Sequence, residues 1–162
     1  MKPMIRKLAL AGATALVSLG AMAGQAVVTF THPENYSDFP VYDADRDDLL
    51  KEMADHFIKQ AARLPASQEL KVEVLDINLA GDVRPGFRFR RDIRILRGRA
   101  DWPTMVVRYT LRDNGQVVRS GEEQLSDMAY LQHGNRYYPD DPLRYEKSMV
   151  DGWMSKRFGL PR

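Results

Sequence analysis

The 162-residue sequence contains no cysteine, which excludes disulfide staples, thiolate-bound metal and acylation as a lipoprotein. Its three histidines, His32, His56 and His133, stand far apart and outside any H-x-H or H-E-x-x-H spacing, so zinc hydrolysis has no visible ligand set. There is no G-x-S-x-G elbow, no G-x-x-x-x-G-K-[ST] loop and no G-x-G-x-x-G turn, and no cofactor is expected. Long apolar runs are missing too. The mostly apolar stretch from Leu8 to about Met22 has about fifteen residues where a bilayer span needs roughly 20.

What that stretch does have is a signal-peptide profile. Lys2, Arg6 and Lys7 precede it, and Ala21 and Ala23 form an A-x-A site with cleavage before Gly24, while Gly24 and Ala26 permit a second cut before Val27. The expected organisation is a signal peptide over residues 1–23 and a single α+β domain over residues 24–162, located in the periplasm with no integral membrane span after cleavage. Apolar packing alone must then hold the fold, and the remaining length suffices for one core. The net charge of +2 belongs to the leader: the 24 basic side chains less those three, set against 22 acidic ones, leave −1. A nucleic-acid partner is therefore not expected.

Val27 to Thr31 (VVTFT) reads as a first strand stopped by Pro33. Asp43 or Asp45 caps a helix expected from near Arg46, whose apolar face is Leu49, Leu50, Met53, Phe57, Ala61 and Leu64, with Pro65 closing it. Phe57→Asp should prevent folding. Leu70 to Ala80 alternates as a strand until Leu75, where the apolar parity changes, which requires a bulge there or burial on both faces. Phe87 to Arg97 alternates Phe87, Phe89, Ile93 and Ile95 with Arg88, Arg90, Asp92 and Arg94, predicting a strand with one greasy and one basic face. Asn114-Gly115 supplies a type I′ turn between two strands, pairing Leu111 with Val118 and Tyr109 with Ser120. Asp141-Pro142 opens a last helix to about Phe158, with Leu143, Val150, Trp153, Met154 and Phe158 inward. The order predicts an α+β fold with a four- to five-stranded mixed, mainly antiparallel sheet and two main helices packed largely on one face. The first strand and Leu70–Ala80 are expected as parallel neighbours.

Two clusters could carry function. Asp76, Asn78, Gly81 and Asp82 form D-x-N-x-x-G-D, but Ala80, Gly81 and Phe87 stand where a calcium loop needs an oxygen ligand, glycine and glutamate, so no metal is expected and the carboxylates are read as bonding local backbone. Seven arginines lie between Arg84 and Arg99 against the single Asp92, whereas Asp43 to Asp55 holds six acids and two bases. Arginine forks suit carboxylate or phosphate oxygens, so Arg88, Arg90 and Arg94, with Asp76, Asn78 and Asp82, form the candidate binding set. A solvated sheet face is the plainer account of the basic strand. Glu52 and His56, one helical turn apart, are placed to form a hydrogen-bonded pair, and an exposed helix face is the plainer account of them. Trp102, Tyr130, Tyr137, Tyr145 and Trp153 gather the aromatics in the second half, as stacking surfaces or as core plugs.

The segments VTFTHPENYSDF, DINLAGD, VVRYTLRDNGQVVRSGEEQLSD and RYEKSMVDGW, in that order, resemble the exported bacterial family known as domain of unknown function 3016. The resemblance covers nearly all of the chain beyond the leader and implies no activity, cofactor or catalytic residue. It directs attention to Asp38, Asp76, Leu79, Ala80, Gly81, Asp127, Tyr145, Glu146 and Trp153. The expected function is a non-catalytic accessory or binding domain of the cell envelope, with an unidentified envelope protein or an anionic ligand as partner and the oligomeric state open. The alternatives are a small envelope hydrolase using carboxylates such as Asp76, Asp82 or Glu123, and a structural or stress-related protein pairing through a sheet edge.

Overall fold

In the computed structural model, which describes residues 24–37, 39, 43–84 and 93–161, the centre of the fold is a four-stranded sheet. Its strands are β1 (Gln25–Phe30), β2 (Gln68–Asn78), β5 (Thr104–Asp113) and β6 (Gln116–Ser126), in the spatial order β1-β2-β5-β6. Helix α1 (Asp43–Ala61) connects β1 to β2, which run parallel as the sequence order predicts, and the other two pairings are antiparallel. A separate two-stranded ribbon, β3 (Asp82–Arg84) with β4 (Ile93–Ile95), and helix α2 (Arg144–Phe158) complete the α+β fold. The leader, Asp38 and the Phe87–Asp92 part of the arginine-rich strand lie outside the described residues.

The core forms where the alternating faces of the strands meet the helices. Leu70, Val72 and Val74 of β2 and Met105, Val107, Tyr109 and Leu111 of β5 are buried against Leu50, Met53, Phe57 and Ala61 of α1 and Met149, Val150, Trp153 and Met154 of α2. The opposite face carries polar rows, with Arg108 between Glu73 and Glu122 at 2.9 Å from each. Burying one large side chain of this kind contributes at most roughly 1.5–3 kcal/mol before entropy. The phase change in β2 is a bulge: pairing with β5 shifts between Val74 and Asp76, which returns Ile77 to the core side.

Helix α1 begins three residues earlier than the sequence pattern suggests, its acidic first turns being favourable at a helix N-terminus. It ends at Ala61, and the bonds Arg63 N–H to Gln60 O and Leu64 N–H to Ala61 O tighten the chain into a turn before Pro65. Helix α2 starts at Arg144 rather than at Pro142. The Asp141 carboxylate accepts the Leu143 N–H at 2.8 Å and so caps the preceding turn.

The hairpin at Asn114-Gly115 forms, both residues having positive φ (50° and 81°), but its register departs from the expected one. Asp113 pairs with Gln116 and Arg112 with Val117. The ladder then slips by one, so that Leu111 faces Arg119 and Tyr109 faces Gly121. Val117 and Val118 are both exposed, so neither holds the unslipped register, whereas the slip sets Leu125 opposite Met105 inside the core. It also leaves a bulge on an edge strand, which blunts that edge for pairing.

The sense of β4 is inverted relative to expectation. Ile95 is exposed, and Arg94 turns inward to reach Glu146, because that buried carboxylate on α2 requires a cation. The ribbon therefore stands outside the main sheet.

Candidate functional site

Of the six residues singled out in the sequence, the four that are described stand at separate places in the fold. Asp76 accepts the Ser37 N–H at 3.1 Å and the Ser37 hydroxyl at 3.0 Å, so it anchors the segment after β1 rather than bonding local backbone. Asn78 ends β2 opposite Thr104. Asp82 and Arg94 share the β3–β4 ribbon, but Asp82 pairs with Arg97 at 2.7 Å and Arg94 with Glu146 at 3.3 Å. Arg88 and Arg90 lie outside the described residues. Glu123 accepts the Trp153 Nε1–H at 3.0 Å and pairs with Arg157.

Helix α2 buries three charged residues, and each is matched. Glu146 accepts the Ala80 N–H at 2.8 Å and lies against Arg94. Lys147 reaches Glu52 at 2.5 Å and Asp141 at 2.7 Å. Asp151 accepts from the Tyr137 hydroxyl at 2.5 Å and from Arg136, and lies 3.0 Å from His56 Nε2. Burial alone would push the Asp151 carboxyl up, yet these partners outweigh it and hold the group below the usual carboxylate range. Glu52 and His56 thus do not pair with each other on an exposed face. His56 is buried, and the two side chains meet different partners on α2, which explains why a pattern of helical spacing misses them.

Beside Asp151 a cleft of about 690 Å³ opens between the end of β6, the 127–136 segment and α2. None of the four described candidates, Asp76, Asn78, Asp82 and Arg94, lines it. Its second carboxylate, Asp127, accepts the Ala129 N–H at 3.2 Å and lies 2.8 Å from His133 Nε2. In both contacts the carboxylate is recessed and its partner projects: Asp151 and Asp127 side chains are 8% and 16% exposed, Arg136 and His133 48% and 44%. Lys156, also on the cleft wall, is exposed and makes no ion pair with the described residues. Ser126 and Ser148 add hydroxyls. Sequence inspection considers His133 only for metal spacing and passes over Arg136 and Lys156. A loop has no periodicity to reveal which of its residues turn toward a helix.

The family model described as "protein of unknown function (DUF3016)" matches residues 24–156. The chain belongs to this family. No curated protein matches it. Among solved structures, the crystal structure of protein XCC0632 from Xanthomonas campestris, assigned to the DUF330 family model, is similar at 12% identity, covering 83% of this chain and 85% of that one, with a TM-score of 0.33.

In this DUF3016 chain the separated motifs meet in space. Ala80, from DINLAGD, and Tyr145, from the last helix, pack together with Tyr130 in a second small core, the two tyrosine rings edge to face at 5.0 Å, and Glu146 bonds Ala80. Asp127, at the end of the hairpin motif, helps build the cleft. No group of three His, Asp or Glu among the described residues is arranged to hold a metal ion, and no helix among them is long and apolar enough to cross a membrane.

Proposed function

We propose that this DUF3016 protein is an exported, non-catalytic accessory or binding domain of the cell envelope, working in the periplasm after loss of its leader. The observation that carries the proposal is the state of the cleft carboxylates. Asp151 and Asp127 are recessed and held by fixed partners, so neither is poised as a free general base, while cationic groups face the opening. The carboxylates of the hydrolase alternative are similarly engaged, Asp76 by Ser37, Asp82 by Arg97 and Glu123 by Trp153 and Arg157.

Cleavage before Gly24 fits the fold better than cleavage before Val27. Gly24 is seated against α1, where a Cβ would lie 2.5 Å from the Ala61 carbonyl oxygen, and Gln25 and Ala26 already pair with Glu69 and Leu70. A cut before Val27 would remove the first two rungs of the parallel ladder.

Cell fractionation with intact-mass analysis tests the compartment. A periplasmic species beginning at Gly24 is expected, and cytosolic material retaining residues 1–23 would overturn export. Absence of catalysis is tested with chromogenic phosphate, acyl and glycosyl esters. No turnover is expected, and turnover abolished by Asp127→Asn would overturn the non-catalytic assignment.

A further inference from the structure

We propose that the cleft between the end of β6, the 127–136 segment and α2 is an oxyanion site, accepting a carboxylate or phosphate group of the ligand through Arg136, His133 and Lys156. The inference rests on the binding function proposed above and names its site and ligand chemistry.

Three features converge on this chemistry. The first is the disposition of Arg136: its Nη2 contacts Asp151 and the Tyr137 oxygen, while its Nε and Nη1 make no hydrogen bond to the described residues and the side chain stays half exposed. Asp151 therefore orients the guanidinium and leaves donors for a second oxyanion. Lys156 is the second feature, an ammonium on α2 that lines the same cleft without an acidic partner among the described residues. The third is the neutral polar lining: Ser126 and Ser148 contribute hydroxyl-bearing side chains to the same cleft. His133, oriented by Asp127, completes the rim.

The arginine-rich strand is a poorer receiver of anions in its described part. Arg94 is committed to Glu146 and Arg97 to Asp82, as Arg136 is to Asp151, but the cleft adds Lys156, a cation with no acidic partner among the described residues. The cleft also differs from an exposed ion pair in being walled by helix and sheet, which lowers the effective dielectric around an entering anion.

Titration of the isotopically labelled protein, as recovered from cells, with inorganic phosphate and with acetate at constant ionic strength tests the site by NMR. Saturable shifts confined to the amides of Ser126–Arg136 and Ser148–Lys156 are expected with either probe and not with chloride. Lys156→Glu should raise the dissociation constant about tenfold or more without disturbing the remaining spectrum. Arg136→Gln should weaken binding as well. Because it also unpairs Asp151, its fold is checked by the same spectrum, and the exposed Lys156 variant carries the decision. Shifts equal to those with chloride, or unchanged binding by Lys156→Glu, would overturn the oxyanion site. Saturable anion binding elsewhere would remove this site and leave the binding function standing. Turnover of a phosphate ester within the cleft would remove the non-catalytic function and leave the oxyanion site standing.

Discussion

The fully buried carboxylate of Glu146 accepts the backbone N–H of Ala80, 66 residues away in sequence, at 2.8 Å. This bond joins the first turn of α2 to the chain leaving β2, and Arg94 of the β3–β4 ribbon closes on the same carboxylate. One side chain thus fixes three elements whose backbones pair nowhere with one another.

Glu146→Ala should leave a buried N–H without an acceptor and Arg94 without its counter-charge. Removing one partner of a buried pair costs about 3–5 kcal/mol, a large share of the roughly 5–15 kcal/mol that holds an ordinary domain together. Glu146→Gln keeps an acceptor for Ala80 and should fall between the two. Urea denaturation midpoints measure the series, and an alanine variant as stable as the parent would refute the role given to this carboxylate.

Gly81→Ala should be among the costlier single-methyl additions in the chain. Gly81 has φ of +78°, and a Cβ there would lie 2.5 Å from the Ile95 carbonyl oxygen and 2.8 Å from Leu96 Cδ2. The backbone strain alone costs about 1–3 kcal/mol, and the carbonyl contact cannot be relieved by a rotamer change. A fall in thermal midpoint is expected, together with altered amide shifts in β4.

Stability should decline in acid through Asp151. Its folded-state carboxyl is held below the ordinary value of 3.8, so the ionised form contributes stability that is present above the unfolded value and lost as pH falls through the folded one. Asp151→Asn should be less stable than the parent at neutral pH and show a shallower loss of stability below about pH 4. Chemical denaturation at a series of pH values measures both slopes, and parallel slopes would remove Asp151 from the account of acid sensitivity.

At high pH the sign reverses. Tyr137 is pushed up to about 12 by burial and by its bond to Asp151, and Tyr130 to about 12 by burial with the Asp101 carboxylate beside it. A raised folded value means that the neutral phenols contribute stability present below the unfolded value of about 10 and lost as pH rises through about 12. Ultraviolet titration should show delayed phenol ionisation coupled to unfolding, with one such phenol fewer in Tyr137→Phe.

Much of the fold was legible from local chemistry. Asn114-Gly115 specifies a tight turn whatever surrounds it, the parity change around Leu75 required either a bulge or burial on both faces, of which the bulge between Val74 and Asp76 is what forms, and the three- and four-residue spacing through Phe57 marked the buried face of α1. The register of β6 was not legible, because the two-residue turn by itself sets Leu111 opposite Val118 and Tyr109 opposite Ser120, while the burial of Leu125 against Met105 goes with the slipped register. Arg94 shows the same limit: alternation places it outward, and a carboxylate 52 residues later draws it in.

Sequence alone thus determined the two helices and the strands of the main sheet in their order, with β1 and β2 as candidates for parallel neighbours, since periodicity and turn geometry act within a few residues; β3 and the separate ribbon it forms with β4 were not among its elements. The tertiary structure decided which charges remain available. Whether a charged group is matched depends on distance through space and on exclusion of water, so Arg94 became a tie to Glu146 and Asp76 a tie to Ser37, while Arg136 and His133, each held by a carboxylate, stand half exposed beside an open cleft and Lys156 has no ion pair among the described residues.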